Sequence, residues 1–139
     1  MTFLHFAYAY SATLAAFLAL DAMWLGMMSQ RLYRSAIGHL MREGFAWEAA
    51  AAFYVLYVLG LVVFAVASGL AKERAAVAAA RGALFGLIAY GTYDLTNQAT
   101  LRGWPWTVTI ADLTWGAVAS AIAAAVATRV TLAAGGRRP

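Results

Sequence analysis

Three aspartates lie inside strongly apolar segments of this 139-residue chain, where an ionisable side chain is costly. The segments are LDAMWLG around Asp21, GTYDLTNQATLRGW around Asp94 and IADLTWG around Asp112. A carboxylate at the centre of a membrane-spanning helix disfavours insertion by about 2.5–3.5 kcal/mol. Ionisable residues inside membranes are therefore candidates for ligand sites, ion pathways or proton relays.

Side chains that form hydrogen bonds accompany each aspartate on the same predicted helical face, mostly three or four positions away. They are Trp24 beside Asp21; Tyr90, Asn97 and Gln98 beside Asp94, with Arg102 further along; and Trp115 beside Asp112. Amides both donate and accept hydrogen bonds, and an indole N–H donates one. The pattern predicts a polar, aromatic pocket that binds a ligand.

The composition decides the class of protein. Hydrophobic residues make up 64% of the chain and charged residues 12%, which excludes a soluble globule of this size. The net charge of +4 is not concentrated in a stripe, so no nucleic-acid partner is predicted. The chain has no cysteine and only two histidines, far apart. We therefore expect one integral membrane domain, 1–139, in contact with membrane lipids and without a cofactor or a dedicated metal site.

Four apolar segments are long enough to cross a membrane as helices. They span roughly 3–28, 47–69, 77–101 and 107–130. Between the first two, SQRLYRSAIGHLMREGF alternates apolar and basic residues at helical spacing, which predicts a short amphipathic helix at about 30–44, lying in the interface. The predicted fold is all-α, a transmembrane four-helix bundle with this additional interfacial helix.

The three aspartates are predicted to share one depth in the membrane. Short connections make neighbouring spans antiparallel. Asp21 and Asp94 lie about two turns before the ends of spans one and three, and Asp112 lies about a turn and a half after the start of span four. All three therefore lie near the end of the bundle away from the termini.

The basic residues indicate the orientation. Those on the side of the termini are Lys72, Arg74, Arg81, Arg129, Arg137 and Arg138, and those on the other side are Arg31, Arg34, Arg42 and Arg102. Cytoplasmic loops carry the excess of Lys and Arg. The sequence therefore predicts cytoplasmic termini and a periplasmic pocket.

Arginines on the pocket side offer a second explanation for the acids. Arg31, Arg34 and Arg102 would neutralise three aspartates in an internal set of salt bridges. The same arginines would also hold a phosphate or carboxylate of an arriving ligand.

Small residues at four-residue spacing predict close helix packing. Gly82 and Gly86 in the third span, and Gly116 and Ser120 in the fourth, form such faces. Transport by so small a chain would require a homodimer, for which these faces offer a contact.

The segments LDAMWLG, FYVLYVLG, GALFGLIAYGTYDLTNQATLRGW and DLTWG together resemble a family of small bacterial inner-membrane proteins classed only as a domain of unknown function. The resemblance covers nearly the whole chain. It implies a four-span protein of the bacterial inner membrane. The motif residues that it carries over are Asp21, Asp94, Asp112, Asn97, Trp24 and Trp115.

Three functions remain open. The first is binding or transport of a small polar or lipid-like ligand, such as a lipid headgroup, in the acidic pocket. The second is a lipid-modifying enzyme, in which the aspartates act as general acid and base or hold a divalent cation. The third is a structural partner subunit, in which the acids only pair with arginines.

Overall fold

The computed structural model of the protein describes residues 1–135, which form helices and short connections without a β-strand. Arg137 and Arg138, near the C-terminus, lie outside the described residues. The helices are α1 (Phe3–Met28), α2 (residues 29–40), α3 (Trp47–Ala71), α4 (Ala75–Thr100) and α5 (Trp106–Ala134).

Four helices are long and apolar enough to cross a membrane, which confirms the predicted all-α, four-span fold. The predicted ends are close to those observed, and the largest difference is at α5, which continues to Ala134 instead of 130. Large apolar side chains of these helices are exposed on the outside of the bundle, including Leu56, Phe64, Ile88 and Ile110. Such a surface suits contact with lipid tails.

The predicted interfacial helix is present in a different form. Residues 29–40 continue the helix of α1 without a break, and helical structure ends at Leu40, because Met41 is extended (φ −77°, ψ 132°). The segment thus begins within one residue of the predicted start at 30, but the predicted end at 44 is wrong, because helical structure stops at Leu40. Gly44 adopts a positive φ of 73° in the connection to α3, which a right-handed helix does not allow.

A π-helical turn at Ser29–Arg34, the first half of α2, redirects the chain after α1. The Trp24 indole N–H donates a hydrogen bond to the Tyr33 hydroxyl, nine residues later, at 2.9 Å. In a straight α-helix, positions nine apart point to opposite faces and lie about 13 Å apart along the axis. The wide turn therefore bends the chain so that Tyr33 reaches back towards the bundle.

Helices α4 and α5 pack backbone against backbone. A Cβ atom at Gly86 would lie 2.0 Å from the Gly116 carbonyl oxygen, and one at Gly82 would lie 2.6 Å from the Ser120 carbonyl oxygen. The predicted small-residue faces thus meet each other within one chain. A homodimer would have to use another surface.

The start of α1 and the end of α5 lie side by side, opposite the end of the bundle that holds the aspartates. A Cβ atom at Gly135 would lie 2.9 Å from Nε2 of His5, so the start of α1 adjoins the end of α5. The connection between α4 and α5 is at the other end, where Gly103 has a φ of 72° and Pro105 precedes the first residue of α5.

Gly86→Ala is expected to destabilise the protein by about 1–3 kcal/mol, because the added methyl group would clash with the α5 backbone. The measurement is the thermal unfolding midpoint in detergent. Gly26→Ala is the control, because a Cβ there would meet no atom within 4 Å in the described part of the chain. Equal midpoints for the two variants would contradict this packing.

Candidate functional site

A cavity of about 340 Å³ lies within the bundle near the end away from the termini, and every helix contributes to it. Its lining residues are Asp21, Trp24 and Leu25 of α1, Tyr33 of α2, Phe53 and Tyr57 of α3, Ala89, Tyr90 and Tyr93 of α4, and Asp112 and Trp115 of α5. Two carboxyl groups and seven aromatic rings therefore share one small space.

Asp21 is held by a donor from α3. The Tyr54 hydroxyl donates a hydrogen bond to Oδ2 of Asp21, whose residue is 8% exposed. A buried carboxyl without a donor would lose the stabilisation that water provides in the unfolded chain. Tyr54 therefore offsets part of the cost of placing Asp21 inside the bundle.

Asp112 is held by a donor from α2. The Tyr33 hydroxyl donates to Oδ1 of Asp112, and the same hydroxyl accepts the indole N–H of Trp24. Trp24 also stacks on Trp115, with ring centroids 4.6 Å apart and planes 7° apart. This chain of contacts ties α1, α2 and α5 together along one side of the cavity.

Asp94 lies behind Asp112 without a donor of its own. It is fully buried, and neither carboxyl oxygen has a hydrogen-bond partner within residues 1–135. Asp94 therefore adds a third acid to this end of the bundle, close to Asp112.

The side of the cavity that faces the termini is closed by packed side chains. The Tyr57 hydroxyl and Ser120 Oγ are 2.6 Å apart, and Tyr57 meets Tyr90 edge to face with centroids 5.9 Å apart. Tyr90 lies against Gly116, where a Cβ atom would be 2.4 Å from the Tyr90 ring. The glycine therefore admits the tyrosine ring that completes this wall.

The structure divides the predicted site residues into two groups. Those that line the cavity are Asp21, Trp24, Tyr90, Asp112 and Trp115, and Asp94 touches Asp112. Those outside the lining are Asn97, Gln98, Arg31, Arg34 and Arg102.

Gln98 has a structural role in place of the predicted ligand contact. Its Nε2 donates to the Trp104 carbonyl at 2.7 Å, and its Oε1 accepts from the Thr109 hydroxyl at 2.8 Å. The Trp104 indole N–H in turn donates to Thr109. This network fixes the connection between α4 and α5, and Gln98 is not among the residues that line the cavity. Asn97 lies one residue before it and contacts Tyr93.

The predicted arginine pairing is not formed within residues 1–135. Arg31, Arg34 and Arg102 are exposed, and the aspartates accept hydrogen bonds from tyrosines instead. A tyrosine brings a neutral donor, whereas a guanidinium would have to lose its water as well. The three aspartates, Asp21, Asp94 and Asp112, form no group suited to hold a metal ion in the described part of the chain.

The sequence analysis missed the tyrosines that hold the acids. Tyr54 and Tyr57 share a face of α3 at a spacing of three, next to Phe53, and this spacing was the available signal. Tyr33 lies in the segment assigned to the interface, and nothing in its spacing indicates the bend that brings it to Asp112.

One comparison with known proteins identifies relatives of the chain. Residues 6–129 match the family described as "Predicted membrane protein (DUF2177)". No curated protein and no solved structure matches the chain.

Tyr33→Phe is expected to destabilise the protein by about 1–3 kcal/mol, because Asp112 and the Trp24 indole each lose their partner. The thermal unfolding midpoint measures this. Tyr8→Phe is the matched control, because Tyr8 is 46% exposed on α1. If both variants unfold at the same temperature, Tyr33 does not hold the site.

Asp94→Asn is expected to leave the stability unchanged or raise it by about 1 kcal/mol, because the new amide donates an N–H to the Asp112 carboxylate. Glu48→Gln, at an exposed acid on α3, is the control for the charge change. A large loss of stability in Asp94→Asn alone, measured by thermal unfolding, would show that Asp94 has a donor and is not an unpartnered acid.

Proposed function

Since the chain belongs to the DUF2177 family of predicted membrane proteins, we propose that this multi-pass membrane protein binds a small polar or lipid-like ligand in the acidic and aromatic cavity. One observation carries the proposal. Asp21 and Asp112, from helices at opposite ends of the sequence, face the same cavity among aromatic rings.

The size of the cavity limits the ligand. Binding sites for small molecules are typically about 300–1,000 Å³, so 340 Å³ is at the lower end of that range. A whole phospholipid exceeds this volume, but a small solute or a lipid headgroup fits it.

The burial of the acids supports a ligand site over a purely structural role. In a purely structural partner subunit the acids would form salt bridges with arginines, but Arg31, Arg34 and Arg102 are exposed instead. Asp94 has no donor within residues 1–135, so its burial brings no hydrogen bond that would stabilise the fold. Unsatisfied buried groups persist where they serve a function.

Binding is better supported than transport or catalysis. Tyr57, Tyr90 and Ser120 pack together on the side of the cavity that faces the start of α1, which favours binding over passage of a ligand through the bundle. General acid and base catalysis would use the Asp94–Asp112 pair, but the cavity lining holds no nucleophile beyond tyrosine hydroxyls and carboxyls.

The distribution of basic residues supports cytoplasmic termini and a cavity on the periplasmic side of a bacterial inner membrane. The exposed arginines of α2 lie on the cavity side, so the excess at the termini is small. The ligand would therefore come from the periplasm or from the outer leaflet.

Single cysteines test whether the cavity admits solutes, because the native chain has none. Ala89→Cys lines the cavity, and Ala22→Cys is the control on the exposed surface of α1 beside Asp21. In lipid nanodiscs, a small water-soluble thiol reagent should modify Ala89→Cys at least about tenfold faster than Ala22→Cys, because thiolates form in water and not in lipid. An unreactive Ala89→Cys would overturn the proposal.

A further inference from the structure

The charges of the cavity define the class of ligand. Its lining contains the carboxyl groups of Asp21 and Asp112 and no Lys, Arg or His, and Asp94 adds a third acid directly behind. An anionic ligand would meet only like charges and tyrosine hydroxyls. A cationic ligand would gain charge-assisted interactions with these carboxyl groups.

The walls of the cavity suit an organic cation in particular. The stacked pair Trp24 and Trp115 forms one wall, and Tyr57, Tyr90 and Tyr93 contribute to the others. Aromatic faces attract ammonium groups, and sites for quaternary ammonium ligands are commonly built as aromatic cages. A metal ion would instead require several oxygen ligands around one point, which these side chains do not provide.

From these two features we infer that the cavity binds an organic ammonium ion. Asp112 and Asp21 balance its charge, and Trp24 and Trp115 pack against it. This inference rests on the proposed function and names the ligand class. Two sources share the chemistry: a free amino alcohol, and the ethanolamine or choline headgroup of a lipid.

Binding of radiolabelled choline to the full chain in phosphatidylglycerol nanodiscs tests the inference. Ethanolamine should displace choline, whereas the neutral isostere 3,3-dimethylbutan-1-ol should compete at least about tenfold less well. Asp112→Asn should weaken choline binding by about tenfold or more. Glu48→Gln removes an exposed acid outside the cavity lining and should leave binding within about twofold of the native value.

The lipid composition distinguishes the two sources. If phosphatidylethanolamine or phosphatidylcholine in the nanodisc lowers choline binding, the headgroup occupies the cavity. If these lipids change nothing while choline still binds, the ligand is a free ammonium compound. Both outcomes support the inference.

A second measurement does not depend on the folding of Asp112→Asn. Ala89→Cys should react faster with the trimethylammonium form of a methanethiosulfonate reagent than with the sulfonate form. The ratio of these two reaction rates should be at least about tenfold higher for Ala89→Cys than for Leu101→Cys, which lies in the loop between α4 and α5.

Three results would overturn the inference: equal competition by the neutral isostere, no choline binding, or unchanged binding in Asp112→Asn. Each leaves the proposed function standing as long as Ala89→Cys is labelled. An unreactive Ala89→Cys would overturn both.

Discussion

A carboxyl group buried in an apolar bundle needs a hydrogen-bond donor, and this requirement organises the end of the protein that holds the cavity. Asp21 accepts a hydrogen bond from the hydroxyl of Tyr54, and Asp112 accepts one from the hydroxyl of Tyr33. Each donor comes from a different helix from its acceptor, so the two bonds connect α1 to α3 and α5 to α2. Asp94 is the exception, because it meets only another acid. Within residues 1–135, the carboxyl oxygens of Asp94 therefore add no hydrogen bond to the fold.

The close approach of α4 and α5 sets the depth at which the acids meet. Gly86 and Gly116 allow the two backbones to touch, and this contact brings together Asp94, eight residues after Gly86, and Asp112, four residues before Gly116. Gly116 also leaves room for the Tyr90 ring. The small residues therefore serve both the packing of the bundle and the shape of its cavity.

Hydrophobicity and topology were sufficient to predict the four spans and the common depth of the aspartates, because both follow from segment length and chain direction. The rotation of each helix about its axis was harder to predict, since helices as apolar as α3 have no clear polar face that would identify Tyr54 and Tyr57 as inward-facing. The bend at Ser29–Arg34 depends on a local π-helical turn, which carries no signal in residue spacing. Arg31, Arg34 and Arg102 were assigned to the site because a positive charge is the obvious partner of an aspartate. Their side chains are exposed instead, and tyrosine hydroxyls donate the hydrogen bonds to Asp21 and Asp112.

An experimental structure of the full chain in a bilayer containing an amino-alcohol lipid or free choline tests most directly whether acids from distant helices form one ligand cavity. The expected result is ligand density between the Trp24–Trp115 pair and the Asp112 carboxyl, with Asp21 on the same cavity. Side chains of Asp21 and Asp112 that face lipid, or that lie in separate spaces, would contradict it.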